Sequence, residues 1–158
     1  MLPQDLSIEF IHPLEFARQM ALVDHKLYRS IRPSEFLHLN WTRKDKATLA
    51  PNILKMISQF NRVGEWVIYT ISHAKKEKHC VKLLSQLIEI AYESYKLANF
   101  NGAMAMMSGL KHNTVVRKKD IWVRIDICDG IILLIPSGNA AFQCLGQMGR
   151  NQRSVKAR

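Results

Sequence analysis

Pro51-Asn-Ile-Leu-Lys-Met-Ile-Ser-Gln-Phe-Asn-Arg-Val-Gly-Glu-Trp-Val-Ile-Tyr-Thr-Ile71 is the stretch on which the fold turns. Within it Ile53, Ile57, Phe60, Val63, Val67 and Ile71 recur at spacings of three and four. That period stacks side chains along one face of an α-helix. Proline suits the first helical position, where an N–H would have no partner anyway. The spacing therefore predicts a helix from Pro51 to Ile71. Gly64 interrupts it at about 1 kcal/mol relative to alanine, which marks that turn as its weak point. On pattern alone Ile57 reads as core, because it sits in the middle of the stripe.

Upstream, Pro13 opens another helix, with a stripe of Leu14, Ala17, Met20, Leu22-Val23 and Leu27 running towards Ile31. Arg32-Pro33 ends it, since proline disfavours the helical region for its predecessor. A short piece from Ser34 to Leu39 leads to Trp41. Downstream, charged Lys75 to Lys78 reads as a connection. A third long helix carries Val81, Leu84, Leu87, Ile88, Ala91 and Tyr95. Asn99-Phe100-Asn101-Gly102 breaks that pattern and Ala103 to Leu110 resumes it. After Trp122 the grammar changes. Val123 to Cys128 alternates with period two, Asp129-Gly130 is a turn pair, and Ile131 to Ile135 is β-prone, which together predict a short β-hairpin. Pro136 to Asn139 ends it, and the polar, basic remainder reads as disordered.

The chain has 158 residues, enough for one domain with a real core. Its 47% hydrophobic and 23% charged residues are ordinary for a globular protein. Of the net charge of +10, Arg150, Arg153, Lys156 and Arg158 supply four, so the rest is mildly basic. Nucleic-acid binding through that tail is a minor reading, and a solvated tail the ordinary one. Three cysteines, Cys80, Cys128 and Cys144, form an odd, scattered set that argues against a disulfide framework and for a reducing compartment. The N-terminus lacks the pattern of a signal peptide. Pure apolar runs such as Ile131 to Ile135 are too short to cross a bilayer. A cytoplasmic protein is the expectation, with the Asn40-Trp41-Thr42 sequon unused.

Several strings resemble the catalytic domain of Ras-type guanine-nucleotide exchange factors, the RasGEF family. They are His12-Pro-Leu-Glu-Phe-Ala-Arg-Gln-Met-Ala-Leu-Val-Asp24, Leu27-Tyr-Arg-Ser-Ile-Arg-Pro-Ser-Glu-Phe-Leu37 and Trp41-Thr-Arg-Lys-Asp-Lys46 with Ala50-Pro-Asn-Ile-Leu-Lys-Met-Ile57. Phe60-Asn-Arg-Val63 with Trp66-Val67, Ile88-Glu-Ile-Ala91, and Asn99-Phe-Asn-Gly102 running into Met107-Ser-Gly-Leu110 continue in the family's order. The resemblance covers residues 5 to 122 and implies an all-α, incomplete helical bundle. Residues 123 to 158 read as unrelated, as expected of an intron read-through or a mis-joined gene model.

What the family does follows from this resemblance. Such a domain holds the second switch of a Ras-family small GTPase on its helical core and pries the first switch aside with a helical hairpin. Binding the nucleotide-free state more tightly weakens nucleotide by linkage, without covalent chemistry. The matching positions imply that Ile57 and Ser58 form one wall of the switch pocket, Met104 and Ser108 another, with polar contacts from Lys111 and Asn113. Three departures stand out. Lys111 replaces the family's usual asparagine, and a cation cannot both donate and accept. Ala50 replaces a common capping serine, at about 1 kcal/mol. Val116 replaces a tyrosine before Arg117. The hairpin should follow Trp122, so impaired exchange is expected; an inactive fragment that binds a GTPase or self-associates is the alternative. No cofactor, metal or small-molecule substrate is implied, and membrane contact only through the GTPase.

Other signals have blander readings. Gly102, Gly109 and Lys111 only superficially resemble a phosphate loop, since the spacing is wrong and no strand precedes them. His73, His79 and Cys80 lack a fourth ligand at zinc spacing. Arg117-Lys118-Lys119 reads as a solvated helix end. Met104 fits a pocket wall or plain packing equally well.

Overall fold

A computed structural model describes residues 8–124. A 3-10 turn at Ile8–Phe10 precedes α1 (Pro13–Ser30), α2 (Pro33–Phe36), a second 3-10 segment at Leu37–Thr42, and α3 (Lys46–Leu49). There follow α4 (Pro51–His73), α5 (Glu77–Lys96), α6 (Phe100–Leu110), α7 (Asn113–Val116) and α8 (Lys119–Val123). The described residues are thus all-α, as the periodicity predicts. Val123 closes α8 and is not the start of a strand; the rest of the expected hairpin and the basic tail lie outside the described residues.

Helices α1, α4, α5 and α6 surround one core, centred on Val67, Ile71, Leu84, Leu87, Ile90, Met106 and Leu110. Phe16 of α1 stacks on Trp66 of α4, ring centroids 5.4 Å apart. The α1 stripe differs from expectation at its middle. Leu22 and Val23 are exposed, while Asp24 takes the inward position beyond Ala17 and Met20. A buried carboxylate needs a partner, and the Asn99 amide donates to Asp24 Oδ2 at 2.9 Å.

The connections are tighter than the sequence suggests. Only Ala74 to Lys76 links α4 to α5, so Glu77 and Lys78 are helical rather than part of a loop. The Asn99-to-Gly102 segment begins α6 instead of breaking it: Asn99 is the N-cap, and its Oδ1 accepts from Gly102 N–H at 3.1 Å. The real break is one step earlier, where Ala98 adopts φ 59°. A Cβ on Gly102 would come within 2.5 Å of Asn99 Nδ2 and 2.9 Å of Met20 Cε, so any larger residue here would have to displace the capping Asn99 amide.

Two polar side chains seal the ends of α4. Ala50 gives no side-chain cap, yet its replacement for serine does not leave the helix start bare. Buried Glu35, from α2, accepts from Asn52 N–H at 2.9 Å and Ile53 N–H at 3.1 Å through Oε2. Its Oε1 accepts from Asn52 Nδ2 at 2.7 Å and Arg32 N–H at 3.2 Å. At the other end Lys118 is not a solvated residue: its Nζ donates to Ile71 O at 2.8 Å, a cation satisfying one of the last carbonyls of a helix. Trp122 ties α8 back by donating its indole N–H to Val115 O at 3.1 Å.

Candidate functional site

The site begins where α4 and α6 touch. A Cβ on Gly109 would meet Gly64 O and Val67 Cβ at 2.6 Å each, whereas one on Gly64 would find Ala105 O at 3.5 Å and Ser108 Oγ at 3.8 Å. Gly64 is therefore not simply the weak turn its helix propensity suggests; it faces a close backbone crossing. The two helices run the same way. Met56 lies beside Asn99 to Asn101 on one groove, Gly64 faces Gly109, and Ile71 O meets Lys118 beyond the end of α6.

From that crossing the predicted residues can be placed. Ile57 lies seven residues before Gly64 and Met104 five before Gly109, about 10.5 and 7.5 Å along the two axes. Seven residues are nearly two turns, so Ile57 stays in line with Gly64 on the α6 side of its helix. Met104, Ser108 and Lys111 follow one another on one stripe of α6, and Ser108 flanks Gly64. Ile57 and Met104 thus come to nearly the same level along the two helices, Met104 about 140° round α6 from the face that meets Gly64. Both are open to solvent, Ile57 by 42% and Met104 by 48%, so neither is the core residue that its pattern suggests. Ser58 and Ser108 are exposed beside them. Lys111 forms the C-cap of α6, roughly 13 Å along the axis from the level of Ile57. Asn113 opens α7 farther on, exposed, with its carbonyl accepting from Arg117 N–H at 3.0 Å. Helix geometry thus sets Ile57 and Met104 at similar levels of α4 and α6, Ser108 beside Gly64 at the crossing, and Lys111 and Asn113 towards the far end.

Two ionisable groups stand out, and neither lines the seam. Burial works to raise the Glu35 carboxyl, but hydrogen bonds from the Asn52 side chain and from the Ile53, Arg32 and Asn52 N–H groups outweigh it and hold it below its ordinary 4.5. Burial pushes the Cys80 thiol up, with Lys118 opposing. Glu35 acts on the seam indirectly, through the N-terminus of α4 about one turn before Ile57. Sequence reasoning missed it, although a glutamate at the third position after Arg32-Pro33 is a capping signal in its own right. Among the described residues no group of three or more His, Cys, Asp or Glu is placed to hold a metal ion. A separate groove of about 880 Å³ runs between α1 and the α5–α6 turn, past Leu22, Tyr28, Met56 and Phe100, and contains none of the six predicted residues.

The glycines give a direct test of this crossing. Gly64→Ala is expected to stabilise the chain by about 0.5–1 kcal/mol, because its Cβ meets only ordinary contacts and gains helix propensity. Gly109→Ala is expected to lose about 1–3 kcal/mol through overpacking. Chemical denaturation of both variants reads the opposite signs.

Two helices meeting backbone to backbone, with Ile57 and Met104 exposed on them, are the feature of this all-α domain that bears on its relatives. A family model for the RasGEF domain matches residues 15–134. Ras guanine nucleotide exchange factor P of Dictyostelium discoideum is 41% identical over 118 residues, 74% of this chain and 8% of that protein. Exchange factor A of the same organism is 38% identical over 115 residues, 73% and 19% respectively. Protein son of sevenless of Drosophila melanogaster is 31% identical over 113 residues, 72% and 7%. The chain belongs to the RasGEF domain family. It spans less than a fifth of the length of each of these curated relatives.

Proposed function

We propose that this chain is the switch-holding core of a guanine-nucleotide exchange factor for a Ras-family small GTPase, with residues 5 to 122 as its working part. The observation that supports this reading is the exposure of two large apolar side chains, Ile57 of α4 and Met104 of α6, at similar levels of two helices in close contact. Large apolar side chains held in the open on a rigid frame are suited to an aromatic or aliphatic group of a partner. Ser58 and Ser108 supply hydroxyls at its rim, and Lys111 and Asn113 the polar contacts beyond. The partner is a protein loop, no bond is made or broken by the chain, and the setting is cytoplasmic.

Holding and releasing are separate demands. Exchange follows when the nucleotide-free GTPase is bound more tightly than the loaded one, because linkage then lowers nucleotide affinity by the same factor. The family resemblance places the prying hairpin after Trp122, where this sequence changes its pattern. The polypeptide is therefore expected to capture nucleotide-free Ras-type GTPase in preference to the GDP-loaded form, while accelerating release of a fluorescent GDP analogue little above background. Strong stimulation of release overturns the impaired-exchange reading. Equal capture of empty and loaded GTPase overturns the exchange-core reading and leaves a plain interaction fragment.

A further inference from the structure

We propose that the loop between α2 and α3 is a lipid-contacting tip that seats Leu37 and Leu39 in the interfacial layer of a bilayer carrying anionic headgroups. Phe36, Leu37 and Leu39 are 53%, 58% and 57% exposed, three large apolar side chains within four residues. The backbone keeps them there in a costly shape. His38 (φ 51°, ψ 26°) and Leu39 (φ 54°, ψ 45°) are consecutive left-handed residues, and neither is glycine. A β-carbon disfavours that conformation, and a leucine has no local polar group to compensate.

The surroundings over-determine it. Asn40 Nδ2 donates to Ser34 O at 3.1 Å, Thr42 Oγ1 donates to Leu39 O at 2.8 Å, and the Phe36 and Trp41 rings meet edge to face at 6.1 Å. Glu35, fixed to α4, anchors the base. Backbone strain retained to hold leucines in water points to a function for the tip.

Charge decides the partner. Arg32, Arg43, Lys44 and Lys46 border the tip along the chain and are exposed, as are Lys26 and Arg29 near the end of α1. The acids in residues 25 to 49 are Asp45, which is exposed, and Glu35, which is buried and occupied by its four donors. An apolar tip with basic residues on both sides of it in the chain, a cationic collar, suits the boundary of headgroups and acyl chains, where leucines are buried and lysines and arginines meet anionic lipid. A protein groove would accept the leucines without needing the collar, and nucleic acid would use the collar while leaving the leucines wet. This contact is direct and does not depend on a bound GTPase.

Co-sedimentation of the full chain with vesicles tests it, using phosphatidylcholine alone and with about 30% phosphatidylserine. Binding is expected to need phosphatidylserine and to weaken with salt. Leu37→Asp with Leu39→Asp should lower it at least about tenfold, and Arg43→Gln and Lys44→Gln about fivefold each, with unchanged circular dichroism. The proposal is overturned by absence of binding, by equal binding to both vesicles, or by indifference to the leucine pair. It is also overturned if binding is lost only when Arg150, Arg153, Lys156 and Arg158 are replaced by glutamine. A leucine variant that lowers the mass of a self-associated chain without altering vesicle binding would likewise assign the tip to protein contact instead.

Discussion

Ile57→Asp lowers capture of a nucleotide-free Ras-type GTPase by roughly 30- to 1000-fold, and Met104→Asp does the same within a factor of a few. The expectation comes from what each change does on the bound side. An anchor residue at the centre of an interface is worth about 2–4 kcal/mol when truncated. A carboxylate pressed against an apolar partner adds the loss of its own hydration. The free protein should not notice. At 42% and 48% exposure both side chains are partly open to solvent, so the unfolding free energy should stay within about 1 kcal/mol of the parent. Combining the two replacements should give less than the sum, because neighbours on one seam share a partner group. Capture that survives both substitutions would remove the seam as the binding surface, whatever becomes of exchange.

Glu35→Gln is expected to lower the thermal midpoint by about 5 °C or more and to flatten the acid side of the stability curve. The parent carboxylate accepts four hydrogen bonds, two of them from backbone N–H groups at the first turn of α4. Glutamine keeps one acceptor oxygen and turns an NH₂ towards groups that are themselves donors. The acid dependence follows from the direction of the shift. With the folded-state carboxyl held below its ordinary 4.5, its contribution is fully present above that value and drains away as pH falls through the lower folded-state value. Parent stability should therefore decline below about pH 5 with a component that the glutamine variant lacks. Parallel acid limbs in the two proteins would show that the carboxylate is not what holds α4.

The long helices were legible because burial of one face imposes a period that no other element shares. Pro13 and Pro51 mark the starts of α1 and α4 as the sequence suggests. What escaped has a common cause: it depends on contacts between residues distant in the chain. Nothing near Ala50 announces that Glu35, fifteen residues earlier, supplies its cap. Asp24 interrupts an apolar stripe, and only the arrival of Asn99 explains it. Lys118 looks like any basic residue in a run of three until Ile71 O is placed beside it.

The site was legible in a different way. Periodicity puts Ile57 on the same stripe as Ile53 and Ile71, both of them buried. A repeat cannot distinguish an apolar position covered by its own chain from one left open for another. The family resemblance gave Ile57 and Met104 places on a switch pocket, with plain packing left open for Met104; both side chains are exposed. Lys111 and Asn113 came from the same resemblance, and they sit apart from the apolar seam.

Gly64 and Gly109 carry a consequence for selectivity. Where two helices are spaced by side chains, exchanging one methyl group for another shifts the gap and retunes what fits between them. Here main-chain atoms meet, so the gauge between α4 and α6 is a dimension of the polypeptide itself and is indifferent to drift elsewhere in the interior. A protein built this way has little room to choose among similar guests by widening or narrowing its jaws. On the proposed reading, discrimination between one GTPase and another would come from the rim, from groups such as Ser58, Ser108 and Lys111 that can change while the jaws keep their width.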